Sequence, residues 1–169
     1  MLQDILSFTE YWRNARRRTL RVLDALPPSD LEWTYAPNRF TFGDLFRHLG
    51  GIERFMYAEN VMHRPSTYPG HSASLAQGLD AVRAYVGRCH TEALEIFAGL
   101  SDADLQSKCH TPAGTPIAIW KWLRAMVEHE AHHRGQLYLM ASMRGLRMVP
   151  LFGLTEEEVV ARSSSPPPP

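Results

Sequence analysis

The chain has 169 residues and a mass of 19.2 kDa, enough for one domain that buries its own core without disulfide or metal staples. Its 18 Lys and Arg balance 18 Asp and Glu, so no overall field favours nucleic acid or an anionic membrane as a partner. No stretch approaches the roughly 20 apolar residues that cross a bilayer, and the N-terminus lacks the uninterrupted apolar region of a signal peptide, which predicts a soluble, cytoplasmic protein.

The first helix is predicted from about Leu2 to Leu26, stopped by Pro27-Pro28, with Leu2, Ile5, Leu6, Trp12, Leu20 and Leu23 as its apolar contribution. The arginine-rich run from Arg13 to Arg21 reads as the solvated face of that helix. A second helix opens at Thr41, which forms a capping box with Asp44, and runs to about Met62 with Leu45, His48, Ile52, Phe55 and Glu59 on its inner stripe. After a breaker-rich loop from Arg64-Pro65 to Gly70-His71, Ser74 with Gln77 predicts the cap of a third helix that continues to about Leu100. Its stripe, running from Leu75 and Leu79 through Val82, Val86, Cys89 and Ala93 to Ile96 and Leu100, alternates steps of four and three. That is the narrow seam of a helix bundle.

The longest loop spans Ser101 to Gly114, and a fourth helix then starts with Thr115 as N-cap and Pro116 at its first position, running to Arg144 with Gly145 as its stop. Val149-Pro150-Leu151-Phe152-Gly153 is apolar and irregular and is expected to pack across an end of the bundle, and Thr155-Glu156-Glu157-Glu158 can start a short last helix. The Ser/Pro tail from Ser163 to Pro169 cannot join a packed core and is expected to be disordered, which leaves one domain over residues 1–162. No strand pattern is long enough for a sheet, so the predicted class is all-α, a bundle of four long helices. The two cysteines have no C-x-x-C spacing: Cys89 falls on the third helix's stripe, and Cys109 falls in the long loop.

The fourth helix carries Val127-Glu128-His129-Glu130-Ala131-His132-His133-Arg134-Gly135-Gln136. His129 and His133 lie one turn apart on one face, a stripe that continues as Trp122, Met126, Gln136 and Met140, so both rings point inward and can reach one metal ion. Buried imidazoles need partners for both nitrogens, and a shared metal serves both rings at once. His48, between Leu45 and Ile52 on the second helix, is the natural third histidine. Three neutral imidazoles from two helices leave a divalent ion at least one open position, which suits a reactive site rather than a closed structural one.

Thr41-Phe42-Gly43-Asp44-Leu45-Phe46-Arg47-His48-Leu49 followed by His129-Glu130-Ala131-His132-His133-Arg134-Gly135-Gln136-Leu137 resembles the DinB/YfiT-like family over about residues 1–150. The resemblance implies an up-down-down-up four-helix bundle, often a homodimer, with His48, His129 and His133 as ligands of a divalent metal. It also implies a metal-dependent thiol S-transferase that takes mycothiol, bacillithiol or glutathione, or a related isomerase or hydrolase. A dipositive ion on three neutral ligands deprotonates a bound thiol and lowers the pKa of bound water toward about 7, so thiol transfer and hydrolysis are both within its reach. Three imidazoles suit zinc, nickel, iron(II) or copper. In either case a small molecule is the expected substrate.

His129-Glu130-Ala131-His132-His133 also satisfies H-E-x-x-H, the zinc-protease pattern with glutamate as general base. The metzincin extension fails at Gln136, where glycine is required, and no histidine follows His133 to serve as third ligand. A metal that only fastens two helices, or a bundle that binds a ligand without turnover, is the non-enzymatic alternative. Glu130 and His132 are turned roughly 100° and 60° from the nearer ligand, so they either support the ligands or make surface and interhelical contacts. Gln136, on the ligands' face, is the better placed for the pocket.

Overall fold

Asp4 opens the first helix, its carboxylate accepting from the Leu6 amide at 2.9 Å, and α1 runs Ile5–Ala25. The computed structural model describes residues 4–163, so the predicted start at Leu2 lies outside it. The buried face of α1 is Phe8, Trp12, Ala15, Val22 and Leu23, whereas Leu6 is 72% exposed and contributes nothing to the core. Arg16, read from sequence as part of a solvated face, is instead buried, because it follows Trp12 by one turn on the inward stripe.

Thr41 and Asp44 form both halves of the expected capping box, with amide-to-side-chain bonds of 2.9 and 3.0 Å, and α2 (Phe42–Ile52) begins there. It continues through a π turn, Glu53–Tyr57, into α3 (Ala58–Val61). The wider turn lets residues four apart keep facing inward for longer than α-helical spacing allows. Leu45, Leu49, Glu53, Tyr57 and Val61 therefore form the buried stripe, while Ile52 and Phe55, expected there, are half-buried at its edge.

The third helix, α4 (Leu79–Ala98), starts after Gly78 at φ 81, and Ser74 does not cap it. Ser72 instead accepts from the Ser74 amide at 3.3 Å in a separate 3-10 turn, Ala73–Leu75. The predicted seam holds at Val82, Val86, Cys89 and Ala93, with Tyr85 and Phe97 buried beside it. At Gly50 a Cβ would lie 3.2 Å from the Cα of Val86, so a bare backbone is what lets α2 approach α4 this closely.

Thr115 and Pro116 do not start the fourth helix. Gly114, at φ 79, turns the chain into an antiparallel hairpin of β1 (Lys108–His110) and β2 (Pro116–Ala118), pairing the buried Cys109 with Ile117. Proline is tolerated there as the first residue of a strand, where its missing N–H costs no ladder bond. The helix, α5, runs Ile119–Met143 and ends as expected at Gly145, φ 74, where the Leu146 amide bonds the Ala141 carbonyl at 2.9 Å. Val149 and Phe152 remain exposed rather than covering the bundle; Phe152 lies under the Arg18 guanidinium at 5.5 Å. Thr155 and Glu158 cap α6 (Glu156–Ser163), so Ser163 closes a helix rather than opening the tail, and residues 164–169 lie outside those described.

The described residues form an all-α four-helix bundle in which α1 and α2 each pack on both α4 and α5. Two apolar clusters fill it, one around Phe42, Phe46, Val86 and Leu137 and the other around Phe8, Trp12, Phe97 and Leu123. Among the described residues, no helix is long and apolar enough to cross a membrane.

Candidate metal centre

Packing of α2 on α5 brings His48 to His129 and His133, and the ligand atoms of the three rings all lie within 4.8 Å of one another. His129 Nε2 is 3.1 Å from His48 Nε2 and 3.0 Å from His133 Nε2. The protons can be placed from the other nitrogens. Gln136 Oε1, which can only accept, stands 2.7 Å from His133 Nδ1, so that nitrogen carries the hydrogen and the Nε2 lone pair faces the centre. The orientation of the amide follows from its nitrogen, 3.2 Å from His132 Nε2. His48 Nδ1 lies 2.7 Å from the Tyr68 hydroxyl, an un-ionised phenol that burial pushes up to about 12 and that can accept the ring's Nδ1–H.

Burial, then the neighbouring imidazoles, lowers His48 to about 3 and His129 to about 4, and burial also lowers His133, so all three rings are neutral near pH 7. Neutral rings whose lone pairs face one another repel, and the single proton on His129 can bridge only one of the two short contacts. A divalent cation at their centre replaces that repulsion with bonds. Tetrahedral ligation at ~2.0–2.1 Å needs donor separations near ~3.3 Å, close to the two that His129 makes, and with all three donors within 4.8 Å of one another the set suits a divalent ion.

The surroundings come from loops. The Phe55 carbonyl, in the π turn, accepts from the Thr67 amide at 2.8 Å and the Ser66 hydroxyl at 3.2 Å, which pins the loop that delivers Tyr68 and His71. Phe40 stacks on His48 at 5.9 Å between centroids and meets His133 and His71 edge-on at 6.2 and 4.7 Å. A cleft of about 950 Å³ adjoins the centre; the three ligand-candidate histidines do not line it, but Phe40, His71 and Gln136 do.

The other sequence candidates separate. Gln136 touches His133, and His132, exposed, meets the His133 ring edge-on at 4.9 Å between centroids and bonds the Gln136 amide. Glu130 is an interhelical contact: its carboxylate, 1% exposed, lies 3.2 Å from Arg16 Nη1 on α1. It is therefore not placed as a protease base.

Sequence reasoning missed a second polar cluster on the far side of α2. Glu53 accepts from Arg16 Nη2 at 2.6 Å, Trp12 Nε1 at 2.5 Å and His90 Nδ1 at 2.8 Å. Burial alone would raise this carboxyl, but Arg16, His90 and Trp12 hold it below the ordinary range, whereas for Glu130 burial outweighs Arg16 and the carboxyl is raised. Only the place of Arg16 one turn past Trp12 marks the cluster in the sequence. Phe40, Tyr68 and His71 carry no periodic signal at all.

The sequence model described as the DinB superfamily matches residues 11–137, a span that holds His48, His129 and His133. Among solved structures, the chain is similar to a DinB-like protein from Bacillus cereus ATCC 10987, with TM-score 0.74, 22% identity, and coverage of 88% of this chain and 97% of that one. It is also similar to the DinB-like protein YjoA from Bacillus subtilis, with TM-score 0.66, 14% identity, and coverage of 85% and 95%. At such identities the likeness speaks to the fold alone. None of the curated proteins matches the chain. Since the matched span takes in most of the chain and runs from α1 to α5, the protein belongs to the DinB superfamily.

Proposed function

We propose that the chain binds one divalent metal ion through Nε2 of His48, His129 and His133 and acts as a metal-dependent S-transferase on a low-molecular-weight thiol. The observation that carries this reading is the convergence of the Nε2 atoms of three histidines from two helices beside a cleft of about 950 Å³. A bound dipositive ion supplies the charge that turns a thiol into its thiolate at neutral pH.

The chain's own residues do the rest. Gln136 and Tyr68 fix the tautomers and ring planes of His133 and His48, and Phe40 covers the two rings on one side. Glu130, committed to Arg16, takes no proton at this site. Burial raises the thiol of Cys89 to about 11 and that of Cys109 above its ordinary value, so neither is a nucleophile and the reacting sulfur comes from the co-substrate.

The test is to load the protein with cobalt(II) and add mycothiol, bacillithiol or glutathione, following the sulfur-to-metal charge-transfer band and then loss of free thiol against a panel of electrophiles. The expected result is a band with at least one thiol, abolished by His48→Ala and retained in Glu130→Gln. If no thiol perturbs the spectrum, S-transfer falls and hydrolysis by metal-activated water is tested next. A metal that cannot be exchanged or approached points to a fastener between helices.

A further inference from the structure

We infer that the cleft beside the three histidines selects substrates that carry a carboxylate on an apolar body, and that Arg39 is the residue that holds the carboxylate. The inference takes its location from the proposed metal site, but its evidence is the cleft's own wall and charge.

Large apolar side chains are normally covered. Here Tyr35, Leu139 and Met143 line the cleft while 50%, 63% and 56% exposed, with Phe40 and Met140 behind them. Together they offer an unfilled apolar surface that a hydrocarbon or aromatic body would cover.

The charged groups of the lining are unequal. Asp44 is already committed: one carboxylate oxygen accepts from the Thr41 amide at 3.0 Å and the other from Arg47 at 3.1 Å. Arg39 has no acidic partner among the described residues, and His71 in the same lining offers ring nitrogens for hydrogen bonding. Arg39 is thus the charged group of the lining left open to a ligand.

The Arg39 backbone is set by a built turn. Asn38 takes the left-handed conformation at φ 59, and the Thr34 hydroxyl lies 3.1 and 3.3 Å from the carbonyls of Ala36 and Arg39, which share its one proton. A guanidinium on the wall of an apolar cleft can take a carboxylate with two parallel hydrogen bonds, and an alcohol of the same shape cannot replace that contact. Gln136 and His71 belong both to the cleft and to the surroundings of the histidines, so a molecule held at Arg39 lies in the space that leads to the metal.

The experiment compares mercaptohexanoate with mercaptohexanol on the full-length, cobalt(II)-loaded protein, by calorimetry for affinity and by the charge-transfer band for sulfur ligation. The wild type should bind the acid about tenfold more tightly than the alcohol, the usual range for one charge-assisted contact. Arg39→Ala should erase that preference, Arg39→Glu should invert it, and Arg39→Lys should keep part of it. Arg39 is exposed, and circular dichroism will confirm that each variant folds. Equal affinity for both probes in the wild type overturns the inference. So does a preference for the acid that survives Arg39→Glu, because the carboxylate is then on the metal. A preference that depends on Arg39 without any charge-transfer band leaves the anchor standing and removes the thiol reading. A band with both probes and no effect of Arg39 does the reverse.

Discussion

The Tyr68 hydroxyl stands 2.7 Å from Nδ1 of His48, and the ring that carries it packs with the Tyr85 hydroxyl over the bare backbone of Gly51, where a Cβ would lie 2.9 Å from Tyr85 Oη and 3.2 Å from Tyr68 Cε2. Tyr68→Phe removes the partner of His48, and Gly51→Ala displaces it by steric pressure. Both variants should bind zinc about 10- to 100-fold more weakly, the usual effect of losing an outer partner of a ligating imidazole. Competition against a chromophoric chelator measures this. Wild-type affinity in both would mean that Tyr68 does not orient His48.

Removal of metal should leave the fold intact. The two apolar clusters, built on Phe8, Trp12, Phe46 and Val86 among others, are complete without an ion. Protein treated with a chelator should keep its helical circular dichroism, and wholesale unfolding would favour the fastener between helices.

Gly50→Val should destabilise the protein by about 1–3 kcal/mol in urea titration, the usual cost of overpacking. Here the obstacle is the Cα of Val86, which is backbone and cannot swing aside. An unchanged midpoint would show that α2 and α4 can separate freely.

Arg16→Met leaves Glu53 and Glu130 buried without their cation, and the expected loss is roughly 3–5 kcal/mol. The double variant Arg16→Met with Glu53→Gln should recover part of it, since one of the two orphaned carboxylates is then gone. If the double variant is no better than the single one, the loss lies in packing and not in charge.

Acid stability tests the same cluster. The folded pKa of Glu53 lies below its ordinary 4.5, so its ionised form stabilises the fold above that value, and the contribution disappears as pH falls through the folded pKa. Glu130, whose carboxyl is raised, acts with the opposite sign, so the comparison is between the wild type and Glu53→Gln. Between about pH 7 and about pH 3 the wild type should lose more stability than the variant. Parallel losses would assign the acid limb to other carboxylates.

Thr41 with Asp44, Thr155 with Glu158 and Gly145 were legible in the sequence because each is satisfied within a turn of itself. Thr115-Pro116 carries the same kind of local signal and misleads, since Gly114 commits the chain to a hairpin whose strands are too short to show a period. The three histidines were legible because helical spacing puts them on facing stripes. Arg16 was not, because four other arginines from Arg13 to Arg21 disguise it, and only contact with α2 and α5 makes it a core residue. Tyr68 and His71 take their positions from loop bonds back to the Phe55 carbonyl, and Arg39 from a turn held by the Thr34 side chain, none of which follows a helical period.

Chain length inside Glu53–Tyr57 is negotiable in one direction only. Five residues of π turn sweep about the same angle as four of α-helix, so deleting one would let regular helix re-form with everything downstream near its present orientation, whereas inserting one more would rotate it by roughly 100°. After such an insertion Tyr57, Ala58 and Val61 would leave the core, and the Phe55 carbonyl would no longer meet Ser66 and Thr67. His48, lying upstream, would stay on α2 but lose the phenol behind it, so a lengthening five residues away in sequence would reach the metal centre without touching a ligand.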